Sequence, residues 1–90
     1  MNTESINCRK VQHGGMEKPG DFTFDDDRKT IYVWLPGVTG PDALRIQFGT
    51  PGGPRVWGWD GNEDKPTLMP SIHALGQWHG YLREGRLQSV

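Results

Sequence analysis

His73 and His79 are the side chains of this sequence best suited to chemistry. If the segment ending at Ala74 runs beside the one starting at Trp78, the short Leu75-Gly76-Gln77 connection brings both imidazoles together. Asp60 or Ser71 would complete a polar cluster around them. Such a set could hold a metal ion through two ring nitrogens and a carboxylate. It could equally supply a general base near neutral pH. The plainer alternative is a pair of surface histidines hydrogen-bonded on a hairpin. With no third ligand fixed, the expectation is no cofactor, and zinc at His73 and His79 is the alternative.

A second candidate is the aromatic set Tyr32, Trp34, Trp57, Trp59, Trp78 and Tyr81. Exposed and clustered, these rings would stack against a base, a sugar or a partner's side chain. Buried, they are the core itself, because only 33% of the chain is hydrophobic. The third candidate is the polar run Asp60, Asn62, Lys65, Thr67 and Ser71. It reads either as a ligand-binding loop or as turn residues satisfying their own backbone. Other sites are excluded by spacing. Gly61 stands alone, with no Gly-Lys-Ser/Thr of a phosphate loop after it. Neither serine of the body of the chain lies in a G-x-S-x-G elbow. Asp25-Asp26-Asp27 lacks the ligand spacing of a calcium loop.

The elements that must position these residues follow from composition. Ninety residues make one domain with one core. Thirteen glycines and seven prolines imply many turns and few helices. The net charge of −1 has no basic run behind it, which disfavours nonspecific nucleic-acid binding. One cysteine, Cys8, excludes an internal disulfide or a multi-cysteine zinc site. No apolar run approaches a membrane span and no signal peptide opens the chain. These features are those of a soluble protein of a reducing bacterial cytoplasm.

Along the chain, residues 1–20 show neither strand nor helix periodicity, and are expected to form a flexible arm in which Cys8 and His13 take no part. Residues 21–90 read as an antiparallel β domain. Phe22-Thr23-Phe24 begins strand alternation, and Thr30 to Leu35 is the strongest strand, β-branched and aromatic throughout. Ala43 to Phe48 alternates, with Leu44, Ile46 and Phe48 inward and Arg45 and Gln47 outward. Arg55-Val56-Trp57-Gly58-Trp59 is a short strand that puts both tryptophans on one face and lets backbone approach Gly58 on the other. Asp60-Gly61-Asn62 is a turn. Pro66 and Pro70 hold the next segment at a sheet edge. Trp78 to Arg83 and Arg86 to Val90 form a hairpin about a two-residue Glu84-Gly85 turn, pairing Leu82 with Leu87. The expected fold is all-β: a sandwich or half-open barrel of five to seven short antiparallel strands.

The block W-G-W-D-G-N-E-D-K-P-T-L-M-P-S-I, followed by W-H-G-Y-L-R-E-G-R-L, resembles a family of small, mostly phage-encoded proteins, many of which are called ammonia monooxygenases. The resemblance covers roughly residues 22 to 90 and implies a phage or prophage origin. Larger relatives carry cysteines in the early strands and one before the histidine, which implies a zinc site there. This chain has Trp78 before His79 and no cysteine from Tyr32 to Gly40.

The resulting functional expectation is a phage accessory protein that works by binding, an anti-defence factor or modulator of a host protein or protein complex. Its binding residues would be Trp34, Trp57, Trp59, Asp60, Asn62, Lys65, Thr67, Ser71, Trp78, Tyr81 and Arg83, because interfaces favour tryptophan, tyrosine and arginine. No nucleophile–base–orienter set is legible, so no catalytic residue is assigned. The alternatives are a metal-binding module or metal-dependent enzyme centred on His73 and His79, and a nucleotide- or sugar-binding protein using Trp57, Trp59 and the Asp60–Thr67 loop. Open sheet edges make a homodimer reasonable.

Overall fold

Side-chain alternation decides the middle of the chain. In the computed structural model, which describes residues 5–90, the run Thr30–Val33 (β4) lies inside a six-stranded sheet. It pairs antiparallel with Asp21–Phe24 (β3) and with Asp42–Phe48 (β5). Beyond β3 lies Arg9–Lys10 (β2); beyond β5 come Val56–Trp59 (β6) and Leu68–Met69 (β7). The second sheet has four strands in the order Ser5–Asn7 (β1), Arg86–Ser89 (β10), Trp78–Arg83 (β9) and Ile72–Ala74 (β8). All-β architecture is thus as the sequence implies. The described residues hold no helix long and apolar enough to cross a membrane.

The core sits between the sheets. Phe22, Ile31, Val33, Leu44 and Ile46 face inward from one, and Ile72, Leu82 and Leu87 from the other. Phe24 packs edge-on against Phe22 at 5.9 Å and leans on Trp59 at 5.0 Å. Few aliphatics are available, so aromatic area, roughly 150–250 Å² per ring, supplies much of the burial. The terminal hairpin follows its sequence: Arg83 faces Arg86 and Leu82 faces Leu87. Glu84 and Gly85 form the turn at φ 48° and 73°, as a two-residue turn matched to strand twist requires.

Four expectations need correction. Residues 5–10 are not a free arm, because β1 pairs with β10 and β2 pairs with β3, while Ile6 and Cys8 pack on the core. Of the rest of the expected arm, residues 11–20 run as turns and irregular backbone between β2 and β3, and residues 1–4 lie outside the described residues. Among the described residues the strands number ten rather than five to seven, since turns at glycines and prolines cut the chain into short pieces. Pairing is mixed rather than wholly antiparallel: β2–β3 and β5–β6 are parallel. For β5–β6 the cause is the Gly49–Arg55 connection, which folds back over the outer face of β6. A Cβ on Gly58 would collide with Gly49 and Pro51 backbone there, so glycine is what lets the loop lie down. Finally, Phe48 is 76% exposed at the end of β5 instead of inward, its ring resting where a Cβ on Gly61 would stand.

One buried charge closes the β2 edge. The parallel register sets Arg9 opposite Asp21, a carboxylate fully removed from solvent. Arg9 donates to it through Nε at 3.0 Å and Nη2 at 2.7 Å, and the Glu17 and Lys18 amides donate at 2.8 and 3.2 Å. These four donors, Arg9 first, hold the Asp21 pKa below its ordinary value although burial pushes the other way. A depressed folded pKa gives stability that is present above the unfolded value of about 3.9 and lost as pH falls through the folded one. Asp21→Asn is therefore expected to lower unfolding free energy by about 1–3 kcal/mol at neutral pH, because the charge is lost and an NH2 group replaces one of the two acceptor oxygens among buried donors. It should also flatten the stability loss below about pH 4 that the unsubstituted chain shows. Urea melts across pH check both; a variant with an unchanged acid limb would remove Asp21 as its source.

Candidate functional site

Two prolines set where Ser71 falls. Pro66 is buried and Pro70 ends β7, so the chain leaves the six-stranded sheet at Met69 and enters the four-stranded sheet at Ile72. Ser71 is the last residue of that passage. The Trp57 indole N–H donates to the Ser71 carbonyl at 3.2 Å, which ties the passage to β6. On the other side, β8 pairs with β9 so that His73 faces His79 and Ile72 faces Gly80. Gly80 is buried, and a Cβ there would strike the Gln88 carbonyl and the Trp78 ring; the close packing of β9 under His79 needs this glycine.

This arrangement brings a hydroxyl to an imidazole. Ser71 Oγ lies 3.1 Å from His79 Nε2. With the proton on Nδ1, the His79 Nε2 accepts from the Ser71 hydroxyl, which is the geometry of a general base beside its nucleophile. The His73 and His79 rings stack at 4.5 Å between centroids with 24° between planes. Stacking is what cross-strand neighbours on one face allow, and it restrains the His79 ring. Both histidines are exposed and Ser71 is half-buried. Beside them opens a cleft of about 990 Å³, floored by β5 and β6 and walled by the Met69–Leu75 segment, with Ser71 and His73 on its wall.

The other sequence candidates are placed elsewhere. Trp59 is buried and donates its indole N–H to the Asn62 carbonyl at 3.1 Å. Trp34 donates to the Val38 carbonyl at 2.7 Å, and half-buried Trp78 packs on the core. These three rings serve the fold, so the aromatic recognition platform is not assembled; only Trp57 of the set reaches the cleft. Tyr81 lies under the Arg83 guanidinium at 4.0 Å on the terminal hairpin. Asp60 Oδ1 accepts from the Asn62 and Thr67 amides, and Asn62 Oδ1 from those of Asp64 and Lys65. Thr67 Oγ1 accepts from the Glu84 amide. Asp60, Asn62 and Thr67 therefore build the turn, and the exposed Lys65 rides on it. Among the described residues no three of His, Cys, Asp and Glu come together as metal ligands. Cys8 sits at the other passage between sheets, where burial pushes its thiol pKa up to about 12 and keeps it protonated.

Sequence reading had His79, and had Ser71 as a possible partner, but assigned neither a catalytic role. The signal was there in part: P-S-I-H followed by W-H-G places two residues of opposite roles on adjoining strands. What sequence lacks is the register, which alone decides whether Ser71 reaches His79.

On this small all-β domain a serine hydroxyl meets an imidazole beside a cleft. A family model described as bacterial ubiquitination-like system serine protease (BubE) matches residues 9–90, and the chain belongs to that family. No curated protein and no solved structure matches it. Membership overturns the expectation of a phage accessory protein acting by binding alone, along with its anti-defence role. Register also brings Ser71 beside His79, a proximity that spacing alone does not give.

The tie at Ser71 is open to measurement. Trp57→Phe removes the indole donor together with part of the half-buried ring, so unfolding free energy is expected to fall by about 1–3 kcal/mol. Urea melts with an unchanged denaturant slope would read it. Stability equal to that of the unsubstituted chain would mean that the Trp57–Ser71 bond contributes nothing in solution.

Proposed function

We propose that this chain is a serine protease of a bacterial ubiquitination-like system, with Ser71 as nucleophile and His79 as general base. The 3.1 Å approach of Ser71 Oγ to His79 Nε2 is the observation that carries the reading. The description of the family supports it and supplies the class of bond, an amide. Ser71 Oγ attacks the carbonyl carbon while its proton passes to His79 Nε2. The imidazolium then protonates the departing amine as the carbon–nitrogen bond breaks, leaving an ester on Ser71. A water molecule gives its proton to His79 and attacks that ester, and Ser71 leaves with the proton returned. His73, stacked on His79, positions the ring and touches no reacting atom. The cleft beside Ser71 receives the chain to be cut. The single protonated thiol of Cys8 suits a reducing cytoplasm as the setting.

Positioned general-base catalysis is worth roughly 10²–10⁴ in rate. A fluorophosphonate, which phosphonylates activated serines, gives a direct readout. The unsubstituted chain is expected to gain one adduct by intact mass, with peptide mapping placing it on Ser71. Ser71→Ala should gain none, and His79→Ala should label about 10²–10⁴ times more slowly. An adduct on another residue, or equal labelling without His79, would refute the assignment.

A further inference from the structure

The walls of the cleft carry charge that nothing among the described residues pairs with. Of the six arginines, Arg9 and Arg28 are paired with Asp21 and Glu63. Arg83 covers Tyr81, and Arg86 donates to Ser5. Arg45 and Arg55 are the two others. Both are exposed and both line the cleft. Neither side chain makes a hydrogen bond, ion pair or ring contact among the described residues. No aspartate or glutamate lines the cleft at all. An acidic set was at hand in a chain with eleven carboxylates, so this is a local separation of sign rather than a basic protein.

The same walls are apolar at their lips. Met69 is 52% and Leu75 81% exposed, two of the four large hydrophobic side chains standing in solvent among the described residues, and half-buried Trp57 lines the cleft with them. Strand β8, which follows Ser71 directly, is the terminal strand of its sheet and is only three residues long. Its outer edge is the side a peptide backbone would pair with.

From these features we infer that the cleft is the substrate groove for an extended acidic peptide, whose carboxylates meet Arg45 and Arg55 while an apolar side chain lies against Trp57, Met69 and Leu75. The inference rests on the Ser71–His79 reading for what happens to the peptide, but not for its binding. Guanidinium groups with no internal partner are free to take carboxylates bidentately, the strongest form of such a contact. The apolar lips supply area that charge alone lacks, and they explain why Met69 and Leu75 stand exposed.

A random octapeptide library, acetylated and amidated at its ends, tests the groove on immobilised Ser71→Ala protein of full length. Retained peptides are sequenced by mass spectrometry. The expected result is enrichment of Asp and Glu over Lys and Arg of about tenfold, since each exposed arginine–carboxylate pair gives a few-fold. The bias should weaken as salt is raised. Adding Arg45→Gln and Arg55→Gln should abolish the acidic bias while leaving Leu, Met and aromatic enrichment. Adding Arg45→Glu and Arg55→Glu should turn the bias toward Lys and Arg, a reversal that a misfolded variant cannot produce. No acidic bias, no retained peptide, or a bias that survives both double substitutions would overturn the inference. Fluorophosphonate labelling of the unsubstituted chain, run alongside, separates the two assignments. Acidic bias without labelling supports the groove and sinks the nucleophile. Labelling without bias sinks the groove alone.

Discussion

The chain changes sheets at only two places among the described residues, and both passages are short. At the first, Cys8 alone separates β1 from β2; its amide donates to the Gly85 carbonyl at 2.8 Å, and its side chain packs on the core. At the second, Pro70 and Ser71 separate β7 from β8. Connections this short leave no freedom in how the two sheets meet. The position of Ser71 relative to β9 is thereby fixed by backbone pairing, not by a mobile loop. The approach of its hydroxyl to His79 follows from that constraint.

Indole groups then hold what the backbone sets. Three tryptophans give their N–H to carbonyls at strand ends and loops: Trp34 to Val38, Trp57 to Ser71, Trp59 to Asn62. In each case the ring fills apolar space while its one donor ties an irregular segment that has no ladder of its own. A chain with so many glycines and prolines has more irregular backbone than a small core can order by burial alone. Tryptophan addresses both needs with one side chain. This explains why rings that resemble a recognition surface in the sequence are mostly structural.

Much of the fold was legible because local rules decide it. Thr30–Val33 reads as strand from β-branching, the Glu84-Gly85 hairpin from its turn residues, and the closeness of His73 and His79 from the short connection between them. What was not legible depends on partners far away in sequence. Ser5–Lys10 has no periodicity of its own and becomes strand only because β10 and β3 offer edges to it. The parallel β5–β6 pair depends on a loop lying over Gly58, a contact no window of residues reveals. Ser71 belongs to the same class. Its neighbours Pro70 and Ile72 say only that it is extended; that His79 waits beside it is a fact of register.

The pair differs from a triad in how the imidazole is held, and the difference has a physical consequence. Where a carboxylate orients the base, it also stabilises the imidazolium that forms as the proton is taken. Among the described residues His79 has no carboxylate bonded to it; its ring is restrained by the stacked face of His73 and by Ser71. A stacked ring face can fix orientation, but it brings no counter-charge to its neighbour. In the proposed reaction the transient charge would be solvated by water, which the exposure of both histidines permits. Burying the pair would strengthen every electrostatic contact in it, yet it would leave the imidazolium without solvent or counter-ion. The proposed mechanism, with two residues and no third, therefore asks for an open site on a rigid sheet, and a cleft wide enough to stay wet meets that requirement.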